Sequence, residues 1–333
     1  MRRYSVVFSL SFTLLFCAED KDPPWWLLLL GGDSAISAGS CATSQLDFSS
    51  SSATHNADWT HVAYGAGRFV VLARTGTPIT MTSVDGLKWE AGYNYTGGLV
   101  NFLPLVYAGN RFVGLSQGGT FLTSTDGLAW TESTGNTMNS WTDITYGAGT
   151  YVAVASFQTV GPDRVMTSSN GSTWTIRTPA EANNWMGVAY GAGLFVAISE
   201  TGTNRIMTSP DGIVWTARAA PEANQWRGIV YGGGKFVAVA TTGTNRIMTS
   251  QDGISWTARA APANNQWHDV AYGDGLFVAV ARDGTDRAMT SSDGLNWQLR
   301  PTPTATWRFL AYGANRFVAS SEGNSVTMSA RCP

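Results

Sequence analysis

The chain has 333 residues, enough for a sizeable core, but only 13% of them are charged and the formal net charge is −2. Lysine is confined to Lys21, Lys88 and Lys235, so there is no basic footprint for nucleic acid and a DNA or RNA partner is excluded.

The N-terminus carries Arg2 and Arg3, an apolar stretch over residues 4–16, then Cys17 and a charged run at 19–22. This is the order of a signal peptide, and the stretch is shorter than the ~20 residues of a spanning helix. Leu14-Leu15-Phe16-Cys17 resembles the lipobox of a bacterial lipoprotein signal, closest to the looser spirochaete type because Phe16 stands where a small residue is usual. The resemblance implies acylation of Cys17 and an exported, lipid-anchored protein of the bacterial envelope, surface-exposed or secreted. Ordinary cleavage near Ala18, discarding Cys17, is the alternative. Residues 1–17 are therefore read as signal and 18–40 as a tether. The tether contains Pro23-Pro24, the knot Trp25-Trp26-Leu27-Leu28-Leu29-Leu30, and Gly31-Gly32. That knot fits either a membrane interface or the rim of the folded domain.

From residue 41 onward the chain repeats. Tyr64, Tyr107, Tyr146, Tyr190, Tyr231, Tyr272 and Tyr312 lie between 39 and 44 residues apart, each before a glycine-containing turn and an aromatic that opens an apolar run. A period of roughly 40 residues, rich in short strands, indicates propeller blades. The unit at 226–266 shows the pattern: strand 226–231, a glycine turn, apolar strand 236–240, a loop, strand 246–250, the Asp252-Gly253 turn and an outer strand to Arg259. Asp followed by Gly suits a tight hairpin. The fold expected over 41–333 is an all-β, seven-bladed β-propeller of four-stranded blades.

Ring closure follows from register. At four junctions the blade-ending tryptophan precedes the next strand-opening tryptophan by eleven residues, and Phe48 precedes Trp59 by the same step. The last copy, from Trp307, holds three strand segments, so a segment around 46–51 should complete it as an N-terminal strand. Closure would set Cys41 and Cys332 beside one interrupted turn, where a disulfide would lock the ring and fit an oxidising compartment.

Six copies of Ser-x-Asp/Asn-Gly-x-x-Trp stand at 83–89, 124–130, 168–174, 209–215, 250–256 and 291–297. The phrase resembles the Asp-box, or bacterial neuraminidase repeat, of sialidase-like propellers, without the usual spacer between aspartate and glycine and with Asn170 in one copy. The resemblance implies a structural role for the box. It carries no catalytic residues over: no Arg-Ile-Pro phrase occurs, and Arg205-Ile206-Met207 and Arg246-Ile247-Met248 are ordinary repeat positions. The chain is expected not to be an enzyme, with a divergent sialidase-like glycosidase as the less favoured alternative.

No cofactor is expected. His55, His61 and His268 lack metal-ligand spacing, and the Gly-x-Gly phrases lie between strands with no helix to receive phosphate. In a four-stranded blade the first-to-second and third-to-fourth turns share one face, and here they are short and uniform. The second-to-third loops and the blade connections share the other face and vary, so recognition is expected there. Trp59, Trp141, Trp185, Trp226, Trp267 and Trp307, with Phe102 in the second blade, open the inner strands at that face, either as an aromatic ring for a ligand or as packing between blades. Arg164, Arg205, Arg246 and Arg287 follow the variable loops, either ringing the mouth for an anionic ligand or solvated or stacked on tryptophan. The function these features imply is a non-catalytic propeller binding a glycan or protein at the envelope, with a membrane partner through the lipid anchor. The alternative is a scaffold for an envelope assembly.

Overall fold

The computed structural model describes residues 46, 48–52, 57–74, 76–97, 101–135, 139–158, 164–322 and 326–331. The chain divides at Ala38/Gly39, and all of these residues lie in the second unit, Gly39–Pro333. Cys17, Cys41 and Cys332 lie outside them.

Seven four-stranded antiparallel sheets make the propeller, and no helix occurs among the described residues. The blade from Trp226 illustrates the plan, with strands Trp226–Gly232, Lys235–Ala240, Ile247–Ser250 and Thr257–Arg259 in spatial order. Second strands such as Phe236-Val237-Ala238-Val239-Ala240 are 0% exposed, because both faces pack against sheets. Successive first strands pack side by side around the axis, and the strand from Trp307 packs on the strand from Trp59.

The ring closes as its register requires. Phe48–Ser52 pairs antiparallel with Val326–Arg331, Phe48 opposite Ala330, completing the sheet of Trp307–Gly313 and Arg316–Ser321. Leu46 is buried and Phe48 packs with it against Trp307, Phe317 and Met328. Ser51 and Thr327 hydroxyls share a 2.6 Å hydrogen bond across the seam, and the Ser320 hydroxyl donates to the Thr60 carbonyl of the first blade.

The Ser-x-Asp-Gly turns hold themselves by one repeated circuit. In the first, the Ser83 hydroxyl donates to Asp85 Oδ1 at 3.0 Å and accepts the Gly86 N–H at 2.8 Å, while Asp85 Oδ1 accepts the N–H groups of Leu87 and Lys88. Only acceptor oxygens are needed, which is why Asn170 performs the same task. These bonds hold the turn aspartates below the ordinary carboxylate value, Asp252 at about 2. Gly86 has φ 69°, and a Cβ there would lie 2.7 Å from Val318 of the preceding blade, so the turn seats directly on its neighbour.

On the same face, the two-residue turns between first and second strands carry positive φ at both positions, as in Ala148 (47°) and Gly149 (78°), the geometry of a type I′ hairpin. Ala66, Ala148 and Ala192 therefore sit where a Cβ is strained. Replacing all three by Asn is expected to stabilise the protein by about 1–2 kcal/mol in total. A urea midpoint unchanged or lowered in the triple variant would contradict this.

Candidate functional site

Every blade departs from regular pairing at one shared place, and the third blade also slips between Asn139 and Trp141. The register between first and second strands slips just after the strand-opening residue, between Trp226 and Gly228, Trp267 and Asp269, Trp307 and Phe309, and likewise in the other four blades. A bulge breaks the alternation of side chains and re-aims them. Here it lets two consecutive residues reach the central channel, His268 with Asp269 and Arg308 with Phe309. The channel forms a cavity of about 580 Å³, within the usual range of ligand sites.

The bulge residues are also where the blades stop resembling one another in chemistry. The strand-opening aromatic is followed by Thr60-His61, Leu103-Pro104, Thr142-Asp143, Met186-Gly187, Arg227-Gly228, His268-Asp269 and Arg308-Phe309. The residue after the second strand varies likewise: Arg74, Gln117, Glu200, Thr241, Arg282 and Glu322. Both sets lie toward the variable-loop end of the channel. Comparing the repeats with one another could have found this signal; attention to what the repeats share misses it.

Charge gathers at this mouth. Arg74, Arg227 and Arg308 line the cavity. Arg227 pairs with Glu200 at 2.6 Å and Arg74 with Asp58 at 3.4 Å, while Glu322 is shared between Arg308 at 2.7 Å and Arg282 at 2.8 Å. Four guanidinium groups thus meet three carboxylates. Burial pushes Arg308 down to about 10, with repulsion from Arg282, Arg74 and Arg227 adding to it. The Nε atoms of Arg227 and Arg308 are buried with no hydrogen-bond partner.

His268 is 6% exposed. Its Nδ1 lies 2.8 Å from the Arg308 carbonyl, which can only accept, so Nδ1 carries the proton. Nε2 is left as a bare acceptor with no partner. Burial first, then the positive charge of Arg308 and Arg227, drives the imidazole well below its ordinary value of 6.5 and keeps it neutral. Phe309 lies between the two channel histidines, its ring 3.7 Å from that of His61 and edge-on to His268 at 5.5 Å.

Asp143 and Asp269 stitch neighbouring blades. Asp143 accepts the N–H groups of Ile144 and Val188, and Asp269 those of Val270 and Leu310, all at 2.8 Å. Both carboxyls line the channel wall and keep some exposed surface, yet protein surrounds them and channel water replaces bulk solvent poorly. Loss of solvation therefore raises Asp143 to about 7 and Asp269 to about 8, the latter also through the charge of Asp143. A carboxyl raised on folding makes the folded state bind more protons than the unfolded chain, so its stabilising contribution falls as pH rises through the folded value. His268 has the opposite sign but acts only below about 6.5. The melting temperature is thus expected to be higher at pH 6.5 than at pH 8.5, and Asp143→Asn with Asp269→Asn to flatten the difference. A melting temperature that rises over this interval would sink the assignment.

The tryptophans and arginines expected at the mouth sit elsewhere in the design. Trp59, Trp141, Trp185, Trp226, Trp267 and Trp307 are at most 1% exposed, so they form no ring open to a ligand. Nε1 of Trp185, Trp226, Trp267 and Trp307 donates to the carbonyl four residues earlier. Their place is between blades, behind the bulges, because a surface this large gains most from complete burial. Arg205, Arg246 and Arg287 bond carbonyls of their own loop and of the next blade connection, as Arg246 does with Gly243 and Asn265, and Arg164 bonds the Ala182 carbonyl. They staple loops and do not line the channel. His61 and His268, which lack metal-ligand spacing in the sequence, do line it.

The sequence matches no protein-family model and no curated protein. Solved structures resemble the fold. One titled YCF48 bound to D1 peptide aligns over 90% of this chain and 100% of its own at 14% identity and a TM-score of 0.68. A catalytically inactive virginiamycin B lyase from Staphylococcus aureus with quinupristin aligns over 86% and 99% at 13% identity and a TM-score of 0.75. The propeller domain of Myceliophteria thermophila Cps50 (Swd1) aligns over 84% and 99% at 11% identity and a TM-score of 0.61. A lyase and a peptide-bound protein share this architecture, so at these identities the likeness establishes a β-propeller and leaves the activity to the site.

Proposed function

We propose that this chain is a non-catalytic, envelope-associated propeller that binds a protein or glycan at the variable-loop mouth of its central channel. The observation that carries this reading is the set of seven bulges. A scaffold that repeats its turns and core from blade to blade changes chemical type at these bulges, and in four blades both bulge residues line the channel: Thr142-Asp143, Arg227-Gly228, His268-Asp269 and Arg308-Phe309. Neighbouring propellers of known structure include one bound to a peptide, which supports a protein ligand. Export, anchoring at Cys17 and a Cys41–Cys332 bond belong to the same proposal.

The test is a screen of the purified chain against glycan arrays and displayed peptides, repeated with Arg308→Gln, which leaves Glu322 paired with Arg282. Binding lost in the folded variant, with ligand recovered unaltered, supports the reading. Ligand converted to product would make it an enzyme.

A scaffold role is favoured by one feature of the opposite face. The Ser-x-Asp-Gly turns expose Val84 (65%), Leu128 (48%), Ile213 and Val214 (68%) around the rim. Binding indifferent to Arg308→Gln but lost on Leu128→Lys with Val214→Lys would move recognition there.

A further inference from the structure

Resting on the mouth as the recognition site, the geometry points to its ligand chemistry: a carboxylate carrying a hydrogen-bond donor within two or three bonds, held by Arg227 and Arg308 with the donor on His268 Nε2. Three features on independent elements converge. The guanidinium groups exceed the carboxylates that face them, and Glu322 divides itself between two arginines. Arg227 and Arg308 each keep a buried Nε–H unused. A planar guanidinium presents paired N–H groups that match a carboxylate, and a buried donor without a partner is costly until one arrives.

His268 sets the second requirement. Its Nδ1–H is committed to the Arg308 carbonyl, so Nε2 can only accept; it is buried without a partner in a residue that lines the cavity. A bare anion would face a lone pair; an anion with a neighbouring N–H or O–H would satisfy it. Asp143 and Asp269 face the same channel from the third and sixth blades. Both are raised by burial, to about 7 and about 8, so near neutral pH they bear less than two full charges and do not cancel the arginine field. Asp58, Glu200 and Glu322 are already engaged with arginines.

Two sources supply such a group, the uronic acid of a glycan and the free C-terminus of a peptide, and a small probe of each separates them. Calorimetry on the full chain would use glucuronate and N-acetylglycine at up to about 10 mM, a range suited to fragments of this size. Acetate, which has no donor, and N-acetylsarcosine, which lacks the N–H, serve as controls. At least one of the first two is expected to bind, at least about tenfold more tightly than its control, glucuronate against acetate and N-acetylglycine against N-acetylsarcosine, and to weaken at high salt. Arg227→Gln combined with Glu200→Gln, which leaves no lone carboxylate, should weaken it by a further factor of about ten or more. A second readout, the ¹⁵N shift of His268 Nε2, should move on binding as an accepted hydrogen bond requires, without protonation. Glucuronate alone would identify a glycan source and N-acetylglycine alone a peptide. If neither binds, or acetate binds as well as both, the proposal is overturned. A neutral ligand whose capture still depends on Arg308 would overturn the carboxylate while leaving the mouth as the binding site.

Discussion

Deleting residues 1–52 is expected to lower the unfolding free energy by on the order of 5 kcal/mol and to increase self-association. The strand Phe48–Ser52 supplies five register pairs with Val326–Arg331, and Leu46 and Phe48 cover Trp307, Phe317 and Met328. Burying two such apolar side chains contributes about 3–6 kcal/mol. Their loss would also bare a strand edge next to an apolar patch, which pairs readily with another chain. Urea unfolding and sedimentation of the deletion variant against full-length protein would check this. Equal midpoints and an unchanged sedimentation coefficient per unit mass would show that the seventh blade is sound with three strands.

Trp226→Ala is expected to cost about 3–5 kcal/mol, the range for emptying the place of a buried tryptophan. The side chain is 0% exposed, packs with Ile198, Ile206 and Met248 between adjacent blades, and donates to the Glu222 carbonyl at 3.2 Å. The same substitution at Trp267 should behave alike, since its surroundings repeat. These residues lie too far inside to contact a ligand, so any binding lost with them would follow loss of structure. An unfolding free energy within about 1 kcal/mol of the parent, with binding abolished, would reverse the conclusion and return the tryptophans to the ligand.

Much of the fold is legible in the residue order because propellers are built from local hairpins. The Tyr-Gly turns, the apolar second strands and the Asp-Gly turns each carry their own signal, and their repetition supplies the blade number. Even closure could be read, since Phe48 keeps the eleven-residue step to Trp59 that links other blades. The site was harder to see. Trp226 and Arg246 repeat so regularly that they draw attention as candidates, yet regular repetition is what packing and loop stapling demand. His268 and Phe309 each stand in one blade and an arginine equivalent to Arg227 recurs only at Arg308, and nothing local distinguishes a residue at a bulge from one in a regular strand.

Residue order alone thus determined the seven blades, the hairpin chemistry and the strand that closes the ring, because each depends on contacts between neighbours in the chain or on a constant spacing. Tertiary structure decided which side chains meet. Only when seven first strands are set around one axis do Arg74, Arg227, His268 and Arg308, spread over more than two hundred residues, come to one mouth with Phe309. Only there does a shared Glu322 leave a guanidinium in excess, and only there does the bond from Nδ1 to a neighbouring blade leave Nε2 of His268 as a buried acceptor without a partner. Electrostatic and hydrogen-bond balance is a property of groups brought together in a space with little water, and that space exists only once the ring is closed.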